Sequence, residues 1–255
     1  MIRIIPNIFT LLNLVFGCIA IILILQVNDA IAYMEDGQLL MQLPENMMLG
    51  SLFIFGAGLI DFLDGFVARW LKASSEMGKQ LDSLCDAVSF GVAPSLIAYQ
   101  ILKMGFLRQS GATDTSMLLL LPAILIACAS VWRLAKFNID QRQTIHFRGV
   151  PTPITAMVFA SLPLMLWYNT PFAAAIFLSP WIMYLLILLA GYLMVSDMPM
   201  LSLKISAGNY KKYIPHISLA IVSVVLLLLF QWAAVLMIYI LYVLLSLLFR
   251  KKIIA

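Results

Sequence analysis

The chain has 255 residues, of which 63% are hydrophobic and 11% are charged, and its mean hydropathy is +1.01. An ordinary soluble domain is about half apolar and a quarter charged, so this composition excludes a soluble globular protein and indicates a chain that lies mainly in lipid. The formal net charge of +4 does not indicate nucleic-acid binding, because the basic residues are spread over separate loops instead of forming one face.

Apolar segments long enough to cross a bilayer follow one another along the whole chain. About 20 apolar residues make one span. We expect the first segment to be a membrane helix, because it is long enough to span and no small-residue cleavage site followed by a soluble domain comes after it. The predicted spans are 8–27, 47–69, 80–104, 116–137, 153–170 and 177–196.

The last apolar run, 215–249, is too long for one ordinary span. Gln231 and Trp232 at its middle predict a tight hairpin, and one long tilted helix is the alternative. We therefore predict an all-α, polytopic helical bundle of about eight transmembrane helices. It would form a single membrane domain over residues 1–255, with a six-helix catalytic core at about 1–200 and C-terminal helices at about 214–249.

The distribution of basic residues predicts the orientation of this bundle. If both termini are cytoplasmic, 14 of the 16 Lys and Arg residues fall in cytoplasmic segments, and only Lys103 and Arg108 fall outside. The 14 residues are Arg3, Arg69, Lys72, Lys79, Arg133, Lys136, Arg142, Arg148, Lys204, Lys211, Lys212, Arg250, Lys251 and Lys252. We expect a multi-pass protein of the cell inner membrane with its functional site facing the cytoplasm.

Four aspartates stand at the facing ends of the second and third predicted helices. Asp61 and Asp64 close the second helix, and Asp82 and Asp86 open the third. Spacings of three and four residues place each pair on one helical face. Because a short cytoplasmic turn joins the two helices, we expect antiparallel packing that brings the four carboxylates together.

Such a cluster requires cations. Four carboxylates would repel one another, whereas two divalent cations would balance their charge. Oxygen ligands without Cys or His favour Mg²⁺ or Mn²⁺ over Zn²⁺. The alternative is an ion-pair network with Arg69, Lys72 and Lys79, but three cations at helix ends are poor partners for four acids on inward faces.

The depth of the cluster indicates the kind of substrate. Asp61 lies eight residues before Arg69, which is roughly 12 Å along a helix from the cytoplasmic boundary. A metal site at headgroup depth suits a lipid whose phosphates lie at the interface. The small residues Gly65, Ala68 and Gly78 leave room beside the aspartates for close helix packing or for a flat ligand.

The pattern D-x2-D-G-x2-A-R-x8-G-x3-D-x3-D over residues 61–86 resembles the signature of the CDP-alcohol phosphatidyltransferases. The resemblance implies a membrane transferase, commonly a homodimer, that uses a CDP-linked donor. It also implies that Asp61, Asp64 and Asp82 ligate metal, and that Asp86 completes the second metal site and acts as general base. The implied nucleotide-binding residues are Asp61, Asp64, Gly65, Ala68, Arg69 and Gly78.

Further stretches are similar to the phosphatidylserine synthase branch of that family. They are residues 6–17, 82–94, 133–138, 147–153 and 193–196. This branch implies CDP-diacylglycerol as donor, L-serine as acceptor and CMP as product. The candidate residues for acceptor or phosphate binding are Asn13, Ser89, Arg133, Lys136 and Arg148. For these residues membrane topology and helix packing remain alternative explanations. The last two predicted helices contain no motif that indicates a function.

Two other functions remain open. The same chemistry could use glycerol 3-phosphate or inositol as acceptor, although such acceptors would call for a further basic pocket on the aspartate helices. A divalent-cation transporter is the alternative from a different class, because intramembrane carboxylates also mark ion pathways. A transport path would continue across the bilayer, whereas these aspartates gather at one surface.

Overall fold

The structure is a computed structural model that describes residues 4–26, 32–35, 38–41, 43–71, 75–110, 115–139, 147–168, 170, 172–200 and 214–248. Nine of the basic residues used to predict orientation lie outside the described residues: Arg3, Lys72, Arg142, Lys204, Lys211, Lys212, Arg250, Lys251 and Lys252.

The described chain is almost entirely helical, as predicted. The helices are α1 (Ile4–Leu25), α2 (Glu45–Trp70), α3 (Glu76–Asp86), α4 (Ala93–Ser110), α5 (Met117–Leu120), α6 (Ile124–Ile139), α7 (Thr152–Trp167), α8 (Ala173–Phe177), α9 (Pro180–Val195), α10 (Ile214–Phe230) and α11 (Ala233–Leu248). A π-helical segment, Ala87–Val92, joins α3 to α4, and a 3-10 turn, Leu121–Ala123, joins α5 to α6.

The predicted membrane spans correspond to these helices. Four helical runs are long and apolar enough to cross a bilayer: Pro6–Leu25, Glu45–Trp70, Glu76–Gln109 and Met117–Ile139. Shorter apolar helices cover Thr152–Trp167, Pro180–Val195, Ser218–Phe230 and Ala233–Leu248. The protein is therefore an all-α, multi-pass membrane protein.

The last apolar run folds as the predicted hairpin. Helix α10 ends at Phe230 and α11 begins at Ala233, with Gln231 in a left-handed conformation at φ 48° between them. The alternative of one long tilted helix is therefore wrong.

Two boundaries differ from the predicted spans. The predicted sixth span, 177–196, begins inside the short helix α8, because Pro180 occupies the first turn of α9 and interrupts the chain there. The third span is longer than the predicted 80–104, because the π-helical segment continues α3 into α4 without a break.

Two small antiparallel pairs of strands were not predicted. Strands β1 (Ala32–Glu35) and β2 (Gln38–Met41) pair with Glu35 opposite Gln38. The sequence between them is Asp-Gly, a dipeptide favoured in two-residue hairpin turns. Strands β3 (Phe147–Arg148) and β4 (Pro199–Met200) pair residues that are far apart in sequence.

The core of the bundle surrounds α4 and α7. Fully buried side chains include Ile97 and Ile101 of α4 and Phe159 of α7, and they pack with Ile126 of α6 and Met183 of α9. Helix α1 packs along α2 and against α3. Large apolar side chains are exposed on outer helix faces, as contact with lipid requires.

A second cluster of buried apolar residues fixes α11 on the bundle. It comprises Val150, Val158, Leu193, Met200, Leu219, Tyr239 and Tyr242. The chain reaches this cluster through Gly149, which has φ 71° and lies so close to α9 that an added Cβ would stand 3.0 Å from the Ser196 carbonyl oxygen. Only glycine tolerates both the positive φ and this approach.

Candidate active site

The aspartates are carried to one end of the bundle by the helix pair α2 and α3. Helix α2 has 26 residues and is about 39 Å long, which exceeds the roughly 30 Å thickness of a hydrocarbon core. Ser75 is the N-cap of helix α3, and its Oγ accepts a hydrogen bond of 3.0 Å from the Gly78 amide. This cap satisfies one of the free amides at the helix start.

Three of the four predicted metal ligands lie together. One carboxylate oxygen from each of Asp61, Asp64 and Asp82 lies within 4.8 Å of the others. Asp64 is buried, and Asp61 and Asp82 are half-buried. Within the part of the chain that the structure describes, neither Arg69 nor Lys79 forms a salt bridge with these acids. The ion-pair alternative therefore has no support among the described residues.

The donor set fits a hard divalent cation. It consists of carboxylate oxygens from two helices, and a cation between them would remove the repulsion of three close negative charges. No sulfur or imidazole ligand joins the three carboxylates among the described residues. The residues present therefore fit Mg²⁺ or Mn²⁺ better than Zn²⁺.

Asp86 lies apart from the three clustered acids. It follows Asp82 by one helical turn, which is about 6 Å along α3. Its side chain is 7% exposed, and Asn13 Nδ2 donates a hydrogen bond of 3.1 Å to its Oδ1. The expected group of four carboxylates is thus three clustered acids and one acid outside that cluster, and the metal-binding and general-base roles of Asp86 stay predictions.

Helix α1 supplies hydrogen-bond donors to both aspartate positions. Thr10 Oγ1 lies 2.8 Å from Asp64 Oδ2, to which it donates, and Asn13 stands one turn later on the same face. Sequence reasoning named Asn13 but missed Thr10. The available signal was the recurrence of Asn7, Thr10 and Asn13 every three residues on a helix that is mostly apolar.

Close packing fixes α1 against the π-helical segment. Ser89 Oγ donates to the Asn13 carbonyl oxygen at 3.1 Å, and both residues are fully buried. A Cβ added at Gly17 would lie 2.9 Å from the Ser89 Cα, so glycine is needed for this approach. The contact holds Asn13 beside Asp86.

The π-helical segment Ala87–Val92 begins directly after Asp86. Its wider turn presents Ser89 to α1 and brings Gly91 against α6, where an added Cβ would stand 2.9 Å from Ser130 Oγ. Such segments recur at functional sites because they redirect side chains within a helix. Nothing in the sequence predicted this segment.

The small residues of the motif have different surroundings. A Cβ added at Gly65 would meet nothing within 4 Å, whereas one at Gly78 would meet Ser75 Oγ at 3.0 Å and Asn7 Oδ1 at 3.1 Å. Ala68 is half-buried and Arg69 is exposed. Gly78 thus permits close packing, and Gly65 borders open space next to the clustered acids.

The predicted basic residues divide into two groups. Lys136 Nζ lies 2.7 Å from Asp197 Oδ1, and Arg148 Nη1 lies 3.8 Å from the same oxygen. Asp197 also lines a cavity of about 510 Å³ with Tyr192, Val195, Ser196 and Met198. Sequence reasoning missed Asp197, because Lys136 precedes it by 61 residues and only the fold brings them together.

The second group consists of Arg133 alone, which is buried, with 7% of its surface exposed. Its Nη1 donates to Thr152 Oγ1 at 3.1 Å, and the negative charge of Asp86 acts on the guanidinium. The buried Nε has no hydrogen-bond partner among the described residues. The structure therefore places one buried guanidinium in the electrostatic environment of Asp86.

Comparison with known proteins agrees with this arrangement. The chain matches the sequence profile described as CDP-alcohol phosphatidyltransferase over residues 3–193. It is 40% identical over 126 residues to a CDP-diacylglycerol--serine O-phosphatidyltransferase of Bacillus subtilis, covering 47% of this chain and 63% of that protein. A protein of the same name from Helicobacter pylori is 35% identical over 164 residues, covering 61% and 62% of the two chains.

An archaetidylserine synthase of Methanothermobacter thermautotrophicus is 31% identical over 143 residues, covering 55% of this chain and 57% of that protein. The chain thus spans less than two thirds of the length of each of these relatives. The profile match covers most of the chain, from α1 to the end of α9, and leaves α10 and α11 outside.

Proposed function

The chain belongs to the CDP-alcohol phosphatidyltransferase family, and we propose that it transfers a phosphatidyl group from CDP-diacylglycerol to L-serine and releases CMP. The observation that carries the proposal is the cluster of Asp61, Asp64 and Asp82 beside a separate, hydrogen-bonded Asp86. The names of the relatives support serine, because each contains it.

The clustered carboxylates would hold two divalent cations, Mg²⁺ or Mn²⁺, with Asp86 completing the second site. When bound, such cations neutralise the pyrophosphate of the donor and the charge on the leaving phosphate. Thr10 would keep Asp64 in its ligating orientation through the 2.8 Å hydrogen bond.

The donor nucleotide would lie against the cytoplasmic end of α2 and the start of α3. Its proposed contacts are Asp61, Asp64, Gly65, Ala68, Arg69 and Gly78. The open space at Gly65 supports this position, since a Cβ there meets nothing within 4 Å. The exposed Arg69 is available to the phosphates at the membrane surface.

Asp86 would act as the general base. It accepts the proton of the serine hydroxyl while that oxygen forms a bond to the lipid-linked phosphorus, and the bond from this phosphorus to the CMP oxygen breaks. Asn13 holds one Asp86 oxygen at 3.1 Å, and Ser89 holds the Asn13 backbone. These contacts orient the base without charge, so its remaining oxygen can face the acceptor.

Arg133 would bind the carboxylate of serine. The electrostatic interaction of Arg133 with Asp86 supports this assignment, because serine carries its hydroxyl and carboxylate within one small molecule. A guanidinium binds a carboxylate with two parallel hydrogen bonds. Lys136 and Arg148, about one third exposed at Asp197, would attract anionic groups at the neighbouring surface.

We further propose the cell inner membrane as the location, with both termini and the site facing the cytoplasm, and a homodimer as the assembly. The bias of basic residues toward one side supports the orientation. The site lies at the end of α2 that carries Arg69, which agrees with a cytoplasmic face.

The proposal is tested by incubating purified protein with CDP-diacylglycerol and Mn²⁺ and by offering L-serine, glycerol 3-phosphate and inositol separately. We expect release of CMP with serine and formation of phosphatidylserine. Release of CMP only with glycerol 3-phosphate or inositol would overturn the serine assignment but keep the family chemistry. The matched control is Asp86→Asn, which should insert into the membrane and release CMP about 10²-fold to 10⁴-fold more slowly than wild type.

A further inference from the structure

The end of α6 and the start of α3 are joined by two side-chain hydrogen bonds. Asn138 Nδ2 donates to Ser83 Oγ at 2.8 Å, and Lys79 Nζ donates in return to the Asn138 carbonyl oxygen at 3.3 Å. Ser83 Oγ also donates to the Lys79 carbonyl oxygen at 3.2 Å. We call these three residues, Lys79, Ser83 and Asn138, the α3–α6 clasp.

The members of the clasp suit their positions on the two helices. Asn138 is the penultimate residue of α6, so its carbonyl is one of the last four that no amide of the same helix reaches. A lysine near a helix C-terminus satisfies such a carbonyl and interacts favourably with the helix dipole. The Asn138–Ser83 hydrogen bond is partly buried, so water weakens it less than it would at an open surface.

The clasp connects the helix of Asp82 with the helix of Arg133. Ser83 follows Asp82 directly on α3, and Asn138 lies five residues after Arg133 on α6. Helix α3 packs against α1, an approach that Gly78 permits, whereas α6 packs mainly against the π-helical segment and α9. The clasp therefore gives the start of α3 a second attachment, to α6.

The position of α3 decides whether the acid cluster forms. Asp61 and Asp64 come from α2, whereas Asp82 comes from α3, and one carboxylate oxygen of each lies within 4.8 Å of the others. Close carboxylates repel one another when no cation lies between them. A shift of α3 would relieve this repulsion but would separate the ligands, so an attachment that resists the shift favours cation binding.

We infer that Asn138 is a positioning residue of the metal site, which acts through Ser83 to fix the first turns of α3 and thereby the Asp82 carboxylate. A displacement of about 1 Å in a supporting group is enough to weaken a site of this kind. The inference rests on the proposed function, because it takes Asp82 to be a metal ligand.

The surroundings of Asn138 favour this role over packing alone. Its Oδ1 is buried and has no hydrogen-bond partner among the described residues. A buried amide oxygen without a partner costs free energy, and an apolar side chain would avoid that cost. The hydrogen bond that Nδ2 donates therefore explains the amide better than the space that the side chain fills.

The test measures Mn²⁺ binding in the absence of substrate. Metal-free protein in detergent is titrated with Mn²⁺, and the free ion is measured from its electron paramagnetic resonance signal. Asn138→Leu keeps a branched side chain but removes the donor, and we expect its Kd for Mn²⁺ to be about tenfold higher than that of wild type. Ser83→Ala removes the acceptor and should raise the Kd by the same factor, so it decides the question if Asn138→Leu does not fold.

Asn46→Leu is the matched control. Asn46 Nδ2 donates to the Gln26 carbonyl oxygen at 2.9 Å and thus joins the start of α2 to the end of α1. It lies 15 residues before Asp61, which is about 22 Å along the helix. Its Kd for Mn²⁺ should stay within about twofold of wild type. A tenfold increase in Asn46→Leu would show that the loss of any interhelix hydrogen bond loosens the site, and would overturn the inference.

Two further variants show whether Asn138 acts through Ser83. Ser83→Thr keeps the hydroxyl and should bind Mn²⁺ with the wild-type Kd. The double variant Asn138→Leu/Ser83→Ala should bind Mn²⁺ no more weakly than either single variant, because both substitutions remove the same hydrogen bond. Multiplied single effects in the double variant, or a Ser83→Thr variant as weak as Ser83→Ala, would overturn the inference.

The inference and the proposed function fail in different measurements. If wild type binds Mn²⁺ and both Asn138→Leu and Ser83→Ala bind it equally well, the inference falls and the proposed function stands. If wild type binds no Mn²⁺, the proposed metal site falls and the inference falls with it. If wild type binds Mn²⁺ but releases CMP only with an acceptor other than serine, serine falls, and the Mn²⁺ affinities still decide the role of Asn138.

Discussion

Gly65→Ala tests whether the open space beside the clustered acids is the site of the donor nucleotide. The substitution adds one methyl group inside α2, where the nearest neighbours of a Cβ are more than 4 Å away. Alanine is favoured over glycine in a helix interior by about 0.5–1 kcal/mol. The variant should therefore be as stable as wild type or slightly more stable.

The affinity of Gly65→Ala for CDP-diacylglycerol should fall, although its stability does not. If the nucleotide occupies the space next to Gly65, the methyl group overpacks the contact at a cost of about 1–3 kcal/mol. That cost corresponds to a rise in the KM for CDP-diacylglycerol of roughly 5-fold to 150-fold. The KM for serine should stay at the wild-type value, because Asp86 and Arg133 are unchanged.

The measurements are the unfolding temperature in detergent and the two KM values from CMP release. Gly191→Ala is the matched control: Gly191 lies inside α9, and its added Cβ would meet only Ala129 at 3.7 Å, an ordinary contact. It should share the stability gain and leave both KM values unchanged. A wild-type KM for CDP-diacylglycerol in Gly65→Ala would show that the nucleotide does not bind beside Gly65. A lower unfolding temperature would show that the added methyl group clashes with the protein there.

The remaining predictions concern the base, the metal site and the packing of α1. Asp86→Asn should lower kcat about 10²-fold to 10⁴-fold with little change in the KM for CDP-diacylglycerol, and a kcat near wild type would remove Asp86 as the base. Thr10→Val keeps the side-chain shape but removes the donor to Asp64, so the Mn²⁺ concentration for half-maximal activity should rise about 10-fold to 100-fold. An unchanged Mn²⁺ titration would show that the hydrogen bond does not orient a ligand. Removing metal with EDTA should abolish CMP release, and added Mn²⁺ or Mg²⁺ should restore it; activity that survives EDTA would contradict the metal site. Gly17→Ala should lower the free energy of unfolding by about 1–3 kcal/mol, because its Cβ would lie 2.9 Å from the Ser89 backbone, and a stable variant would show that α1 can move away at no cost.

Much of the fold was predictable because a helix needs about 20 apolar residues to cross a bilayer. The apolar runs located the spans, and Gln231 marked the break between α10 and α11. The π-helical segment after Asp86 was not predictable, because no pattern in Ala87–Val92 distinguishes a π-helical turn from an α-helical one, and its contacts are with the distant helices α1 and α6. The β3–β4 pair joins Phe147 to Met200, and such distant pairing leaves no local pattern.

The candidate site was predictable to a similar extent. Helical spacing paired the aspartates, the family resemblance is confirmed by the profile match, and three acids lie close together. The hydrogen bond that Asp86 accepts comes from Asn13, a residue 73 positions earlier, so no local pattern could predict it. The basic residues divide into two groups because Lys136 and Arg148 lie beside Asp197, whereas Arg133 is buried elsewhere in the bundle.

The sequence by itself determined that this is a membrane protein of helices with a carboxylate cluster at one surface, because hydropathy and helical spacing act over short stretches of chain. Only the tertiary structure decided which polar groups meet: Thr10 with Asp64, Asn13 with Asp86, and Lys136 with Asp197. These contacts join residues far apart in sequence, and each follows from how closely two helices approach at a glycine or within a buried cluster.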